Sequence, residues 1–298
     1  MWNRRAVVNS LGAAVPLAVL PPSAFAEHAK TPLWRATKGA ETISLFGAPH
    51  ATPPSPLWRT EAFDETFLGA KTVFIESLNR KTFGATWRAL GAMRSRRGQR
   101  PVDLLNDELK LVFVSLAGSY GLDRSAFWSL KPVFAARYIQ SGQLQRAGHA
   151  ALFSPFGELT AMDARRQLPT RLQELESGLA PTLILAEADL AAQMRDLEHV
   201  LSDLTQVPQR AADLYRAWIG GDFAAMAPLC QREVDTFMAL GVSQAMMQGR
   251  QRAWLEKITV AAQDGPVAVL VGLTHLVAEE GLVRDLEALG YSVQLINV

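Results

Sequence analysis

Two of the five histidines in this chain occupy the same local setting. Ile43-Ser44-Leu45-Phe46 leads into Gly47-Ala48-Pro49-His50, and Val269-Leu270-Val271 leads into Gly272-Leu273-Thr274-His275. A short apolar run closed by glycine reads as a strand with a tight exit. Each imidazole therefore falls on a loop just past a strand's carboxyl end, where open α/β sheets place ligands. Glu76 and Glu187 each close a further apolar run, Lys71–Glu76 and Pro181–Ala186, and so could reach the same rim. Two imidazoles and a carboxylate are a common donor set for a divalent metal that keeps positions open for water. Such an ion lowers the pKa of water to about 7 in the best cases. A second carboxylate can then act as base and an arginine can stabilise an oxyanion. A plain structural reading stands beside this one: strand-end histidines hydrogen-bonded to backbone, and glutamates that cap the helices after them.

The elements that must position these side chains follow from hydrophobic periodicity. At the end of the chain, Val267–Val271 reads as a buried strand. Glu279 and Glu280 open a helix that stops at Gly290, and Tyr291–Ile296 reads as a second strand. Acids in the first turn and glycine past the last suit that helix. Nearer the start, Glu27–Ala40 reads as a polar lead-in, Glu41–Phe46 as a strand, Ala62–Ala70 as a short helix and Lys71–Glu76 as a strand. The basic stretch Arg80–Arg100 reads as a solvated helix and loop. Helices are expected from Asp103 to a stop at Gly118, and over Pro132–Ile139, Asp163–Leu175, Leu190–Leu204, Ala211–Ile219, Asp222–Leu240 and Ser243–Ala262. Pro181–Ala186 is expected as a strand. The expected fold class is α/β (α+β): a mixed β-sheet surrounded by inserted helices, in a single domain whose first and last strands lie far apart in sequence.

Composition removes several function classes. With 298 residues, 49% of them hydrophobic, a large core is possible, and a formal net charge of +1 leaves no footprint for nucleic acid. One cysteine, Cys230, allows no internal disulfide. It reads as a small core hydrophobe, the tryptophans as core or rim anchors, and His28, His149 and His199 as solvated. There is no Gly-x-Ser-x-Gly elbow and no phosphate-binding glycine loop. Residues 1–26 read as a signal peptide: Arg4-Arg5, an apolar stretch Ala6–Leu20, and Ala24-Phe25-Ala26 before the cleavage point. The arginine pair resembles a twin-arginine export signal, and an ordinary secretory signal fits the same residues. The expected mature domain is 27–298, periplasmic or secreted, with no stable membrane insertion after cleavage.

Leu45-Phe46-Gly47-Ala48-Pro49-His50, Val73-Phe74-Ile75-Glu76 and the segment from Val271 to Val293 resemble the TraB/PrgY/GumN family, which is related to the Tiki proteins. Lys131-Pro132, the run Pro181–Gln193 and Arg250-Gln251-x-x-Trp254 fit the same pattern. The resemblance covers essentially the whole mature chain, and its C-terminal segment is the most specific part. It implies a metal-dependent hydrolase or protease, the Tiki members being described as metalloproteases. By position, His50 and His275 would be metal ligands and Glu76 a ligand or general base. Arg250 would orient or stabilise, and Glu187 would stand behind the ligands or act as base. The implied cofactor is a divalent ion, manganese, cobalt or zinc, and the implied partner is a peptide or other small exported substrate. This sequence departs from the pattern at Ala48-Pro49, where the family commonly has threonine after glycine, and at Gln251, where asparagine follows the arginine. Those departures motivate an alternative: a periplasmic binding or accessory protein that sequesters a peptide or glycan without catalysis.

Overall fold

The computed structural model describes residues 29–55, 58–78, 83–119, 124–242, 244–278 and 281–297. The stretch 1–26 that reads as a signal peptide, His28, Arg80, Lys81 and the pair Glu279-Glu280 lie outside them. Six strands form one mixed sheet: β1 (Pro32–Lys38), β2 (Glu41–Ala48), β3 (Thr72–Ile75), β4 (Gln173–Glu174), β5 (Val267–Gly272) and β6 (Ser292–Asn297). Their order across the sheet is β4-β3-β5-β2-β1-β6. The first four of that order pair in parallel, while β1 pairs antiparallel with both β2 and β6.

Composition explains this order. All six residues of β5 are buried, and so are Val73, Phe74 and Ile75 of β3 and residues 43–48 of β2. Burying each Val, Leu, Ile or Phe side chain is worth about 1.5–3 kcal/mol, so these uninterrupted runs take the centre of a sheet covered on both faces. The strand β1 differs: Leu33, Trp34 and Ala36 are buried while Arg35, Thr37 and Lys38 are exposed. Those exposed polar groups are why the sequence reads there as a lead-in rather than as a strand. A turn through Gly39, whose φ of 60° suits glycine, folds β1 back so that Lys38 faces Glu41.

Helices fill the gaps between strands. After β2 comes α1 (Glu61–Gly69), where the Thr60 hydroxyl accepts the Phe63 N–H as an N-cap. Between β3 and β4 lie α2 (Phe83–Ala92), α3 (Pro101–Leu104), α4 (Asp107–Ser119), α5 (Arg124–Trp128), α6 (Pro132–Arg146) and α7 (Pro155–Ala164). Between β4 and β5 lie α8 (Ala180–Ala186), α9 (Leu190–Ser202), α10 (Gln206–Ile219), α11 (Phe223–Ala239) and α12 (Gln244–Ala262). Two short helices, α13 (Thr274–Val277) and α14 (Leu282–Ala288), join β5 to β6. Among the described residues no helix is long and apolar enough to cross a membrane.

On the sheet, Phe46 meets Phe63, Phe67 and Trp218 edge to face, and the Trp218 indole N–H donates to the Gly47 carbonyl at 2.8 Å. That bond ties α10 to the end of β2. A separate apolar cluster joins α4, α5, α6 and α9, with Phe113 stacked on Phe127. A two-pronged Arg137–Asp196 pair at 2.7–2.8 Å links α6 to α9. Cys230 is buried, and burial, with Glu233 nearby, pushes its thiol up to about 12; it packs as an inert hydrophobe.

Two expected elements change type. Pro181–Ala186 is the helix α8, not a strand. Proline fits a helix's first turn, and the half-buried Ile184 and Leu185 pack against the cluster of Val133, Phe134 and Leu240. Asp163–Leu175 is not a helix: α7 stops at Ala164, Arg166 takes a φ of 58°, and Pro169 blocks continuation before the chain re-enters the sheet as β4. His149, expected in solvent, is only 6% exposed, and its Nδ1 has no partner among the described residues.

Burial holds the His149 pKa below 6.5. Its neutral form therefore favours the fold above the unfolded pKa, and that contribution is lost as pH falls through the folded value. Urea midpoints of the parent should drop more between pH 8 and pH 5 than those of His149→Leu. Equal drops would show that His149 is solvated after all.

Candidate functional site

Topology assembles the site. β5 lies between β2 and β3, although most of the chain separates it from both. Ala48 stands level with Gly272, and Ile75 with Leu270. The Glu76 N–H donates to Leu270 O at 3.1 Å, and the Glu176 N–H donates to Glu76 O at 3.0 Å. Four neighbouring strand ends thereby deliver Glu176, Glu76, His275 and His50 along one edge of the sheet.

The two glycines of the repeated motif serve space, not a turn: neither has a positive φ. A Cβ on Gly272 would sit 2.8 Å from His50 Nε2, 3.5 Å from Glu76 Oε2 and 3.5 Å from His275 Cδ2. A Cβ on Gly47 would sit 3.0 Å from side-chain carbons of Leu273 and Leu276. The expected tight exit is thus a close approach of side chains over bare backbone.

Glu76 is the hub. Its Oε2 accepts the Gly272 N–H at 3.2 Å and lies 3.8 Å from His50 Nε2. Its Oε1 lies 3.9 Å from His275 Nε2 and 3.7 Å from Arg250 Nη2. Burial pushes this carboxyl up, but His50, His275, the Gly272 N–H and Arg250 together outweigh burial and hold it below its usual value. His275 is buried edge-on to Trp254, with ring centroids 4.8 Å apart. Burial is the main cause holding its pKa low, partly opposed by Glu76, so the imidazole is neutral near pH 7. Its Nδ1 has no hydrogen-bond partner among the described residues. His50 is the exposed member and stacks on Phe156 at 4.6 Å.

Arg250 of α12 reaches the hub from above the Trp254 ring, 5.2 Å from its centroid. It grips Glu176 with two bonds, Nε to Oε2 at 2.9 Å and Nη2 to Oε1 at 2.5 Å. Such two-pronged charged pairs fix orientation as well as charge.

The structure brings His50, Glu76, His275 and Arg250 together. It does not bring Glu187 to them: that side chain is exposed after α8 rather than at a strand end. Among the described residues no hydrogen bond or ion pair joins it to the other four. The second carboxylate is instead Glu176, which the sequence reading missed. Its one signal was the echo of Ile75-Glu76 in Leu175-Glu176, and a two-residue strand is too short to show a period of two.

As donors for a divalent ion the three residues fit in kind: two imidazole nitrogens, one of them kept neutral, and a carboxylate with one oxygen toward each. Gaps of 3.8 and 3.9 Å are too long for hydrogen bonds. Each gap lies within the span of about 4.2 Å that separates two donors when each stands about 2.1 Å from one ion. As the side chains are placed, no group of three or more His, Cys, Asp or Glu residues among the described residues could hold a metal ion.

The model of the TraB/PrgY/gumN family matches residues 32–295, from β1 to β6. The chain belongs to the TraB/PrgY/gumN family. No curated protein and no solved structure matches it. In this TraB/PrgY/gumN chain Ala48 closes β2 fully buried, and Gln251 lies buried beside Arg250 on α12.

Two outcomes test the geometry. Gly272→Ala should swing the exposed His50 ring away, shifting its imidazole NMR signals while the thermal midpoint moves little. An unchanged His50 signal would contradict the packing. Glu176→Ala should lower urea stability by about 3 kcal/mol, because it strands a mostly buried guanidinium. A loss under about 1 kcal/mol, typical of an exposed pair, would show that Arg250 is solvated.

Proposed function

We propose that this chain is an exported, metal-dependent hydrolase, with peptides as the leading substrate class. The observation that carries the reading is Glu76 set between two imidazoles, one carboxylate oxygen toward each at 3.8 and 3.9 Å. His50 Nε2, His275 Nε2 and Glu76 would hold the ion, with zinc, manganese and cobalt all suited to that mixture. When bound, the ion would supply Lewis acidity, which makes water a nucleophile near neutral pH.

The chain's own residues have distinct tasks in this reading. Glu76 stays ionised because nearby positive charge and a backbone N–H outweigh its burial. His275 keeps a free lone pair because burial keeps it neutral. Arg250, anchored by Glu176, orients Glu76 and holds positive charge at the rim. Trp254 and Phe156 flank the imidazoles and limit their freedom to turn. Export rests on residues 1–26, with a basic start, an apolar stretch and Ala24-Phe25-Ala26. The second reading, binding without cleavage, is favoured by the two-pronged commitment of Arg250 to Glu176, which ties up two of its nitrogens.

Metal content of residues 27–298, purified without chelator, separates the two. Near-stoichiometric metal is expected in the parent and none in a folded His50→Ala/His275→Ala variant. Absence from both, after incubation with manganese, cobalt and zinc in turn, would replace the hydrolase with the binding protein.

A further inference from the structure

A cavity of about 290 Å³ opens against His275, between α11, α12 and α13. Its size is near the lower end for a small-ligand site. Val234, Met238, Met247 and Ala278 give it apolar walls. The charged and hydroxyl groups at its rim are already paired: Asp235 accepts from the Gln231 amide at 2.9 Å, and the Thr274 hydroxyl donates to Glu233 at 2.6 Å. Met247 is also the wall shared with the site, since its sulfur lies 3.9 Å from Arg250 Nη1.

Gln251 is the exception. It is 7% exposed and lines this cavity. Its carboxamide has no hydrogen-bond partner among the described residues. The other buried glutamine, Gln193, is satisfied at both ends: Nε2 donates to Ala188 O at 2.6 Å, and Oε1 accepts from the Val133 N–H at 3.5 Å. The residue is buried but its amide faces the open cavity, so a ligand that enters can bond it in place of water. A carboxamide offers one donor edge and one acceptor, and its natural complement is another amide. Gln251 also lines an adjoining, more open trough beside Arg252, so a chain-like ligand has room to continue past it.

We propose that this cavity is a specificity subsite for one uncharged, apolar side chain of a peptide, with the Gln251 carboxamide pairing the adjoining peptide bond. The inference rests on the hydrolase reading only for the placing of the scissile bond at His50, Glu76 and His275. Soft, unbranched methionine walls accommodate linear side chains such as Met or Leu. An Asp side chain would meet apolar walls and the like charge of Asp235, and would be rejected. A Lys side chain would lose its hydration to the same walls but recover part of it at Asp235.

Calorimetric binding of the blocked peptides acetyl-Gly-X-Gly-amide, with X as Met, Leu, Asp or Lys, tests this on the mature chain. The Met and Leu peptides should bind the parent about tenfold or more tighter than the Asp peptide, with the Lys peptide between them. Gln251→Leu should weaken both by about tenfold. Met238→Asp, at a position 41% exposed and so without threat to the fold, should reduce the preference for Met and Leu. Equal binding of all four peptides, or Gln251→Leu and Met238→Asp variants that bind like the parent, would overturn the subsite. So would a chitotriose probe that binds where the peptides do not. Peptide binding retained by a chain that holds no metal and cleaves nothing would uphold the subsite and end the hydrolase reading. Metal-dependent cleavage indifferent to X and to both variants would do the reverse.

Discussion

The structure depends on one insertion: β5 enters between β2 and β3, and it ends in a residue with no side chain. Parallel pairing on both sides leaves Gly272 level with Ala48 and its N–H bonded to Glu76. His50, Glu76 and His275 then converge over bare backbone, where a single methyl would collide with His50. Around this point the apolar runs of three strands lie fully buried, so hydrophobic burial, not the polar groups, holds the register. A slip of one residue would turn each strand's side chains to the opposite face.

Charge balance is the second layer. A buried carboxylate is tolerable only where partners compensate it. Glu76 has three cationic or polarisable neighbours and a backbone donor, while Glu176 is bonded twice to Arg250. Arg250 thus serves two acids at once, and its stacking on Trp254 connects it to the wall behind His275. Removing Arg250 or either glutamate would leave the others with unbalanced charge. The same helix, α12, places Gln251 one position on, facing a cavity of different character. One helix therefore brings both the rigid charged edge and the apolar hollow next to it.

The inserted helices account for most of the chain and have their own apolar clusters. They act on the site chiefly through α12 and through Trp218, which bonds the end of β2. The long excursion between β4 and β5 is what allows β5 to return to the middle of the sheet. Short connections would have set neighbouring strands side by side in chain order.

Much was legible in the residues alone. The strands β2, β3 and β5 carry continuous buried runs, and the helices α9 and α10 carry clear apolar stripes, so local pattern determined their type. The repeated strand-Gly-x-x-His pattern pointed to His50 and His275, a strand end pointed to Glu76, and family resemblance added Arg250. What only the tertiary structure decided was adjacency. The exposed charges of β1 hid a strand whose other face is buried. Pro181–Ala186 reads equally as strand or helix, because a short apolar run is buried in either form, and α8 packing settled it. That change removed Glu187 from a strand end, and a two-residue strand put Glu176 beside Glu76 instead. Local sequence determines which backbone form is cheap. Which strand end lies next to which depends on burial summed over distant segments, and no window of neighbouring residues contains that sum.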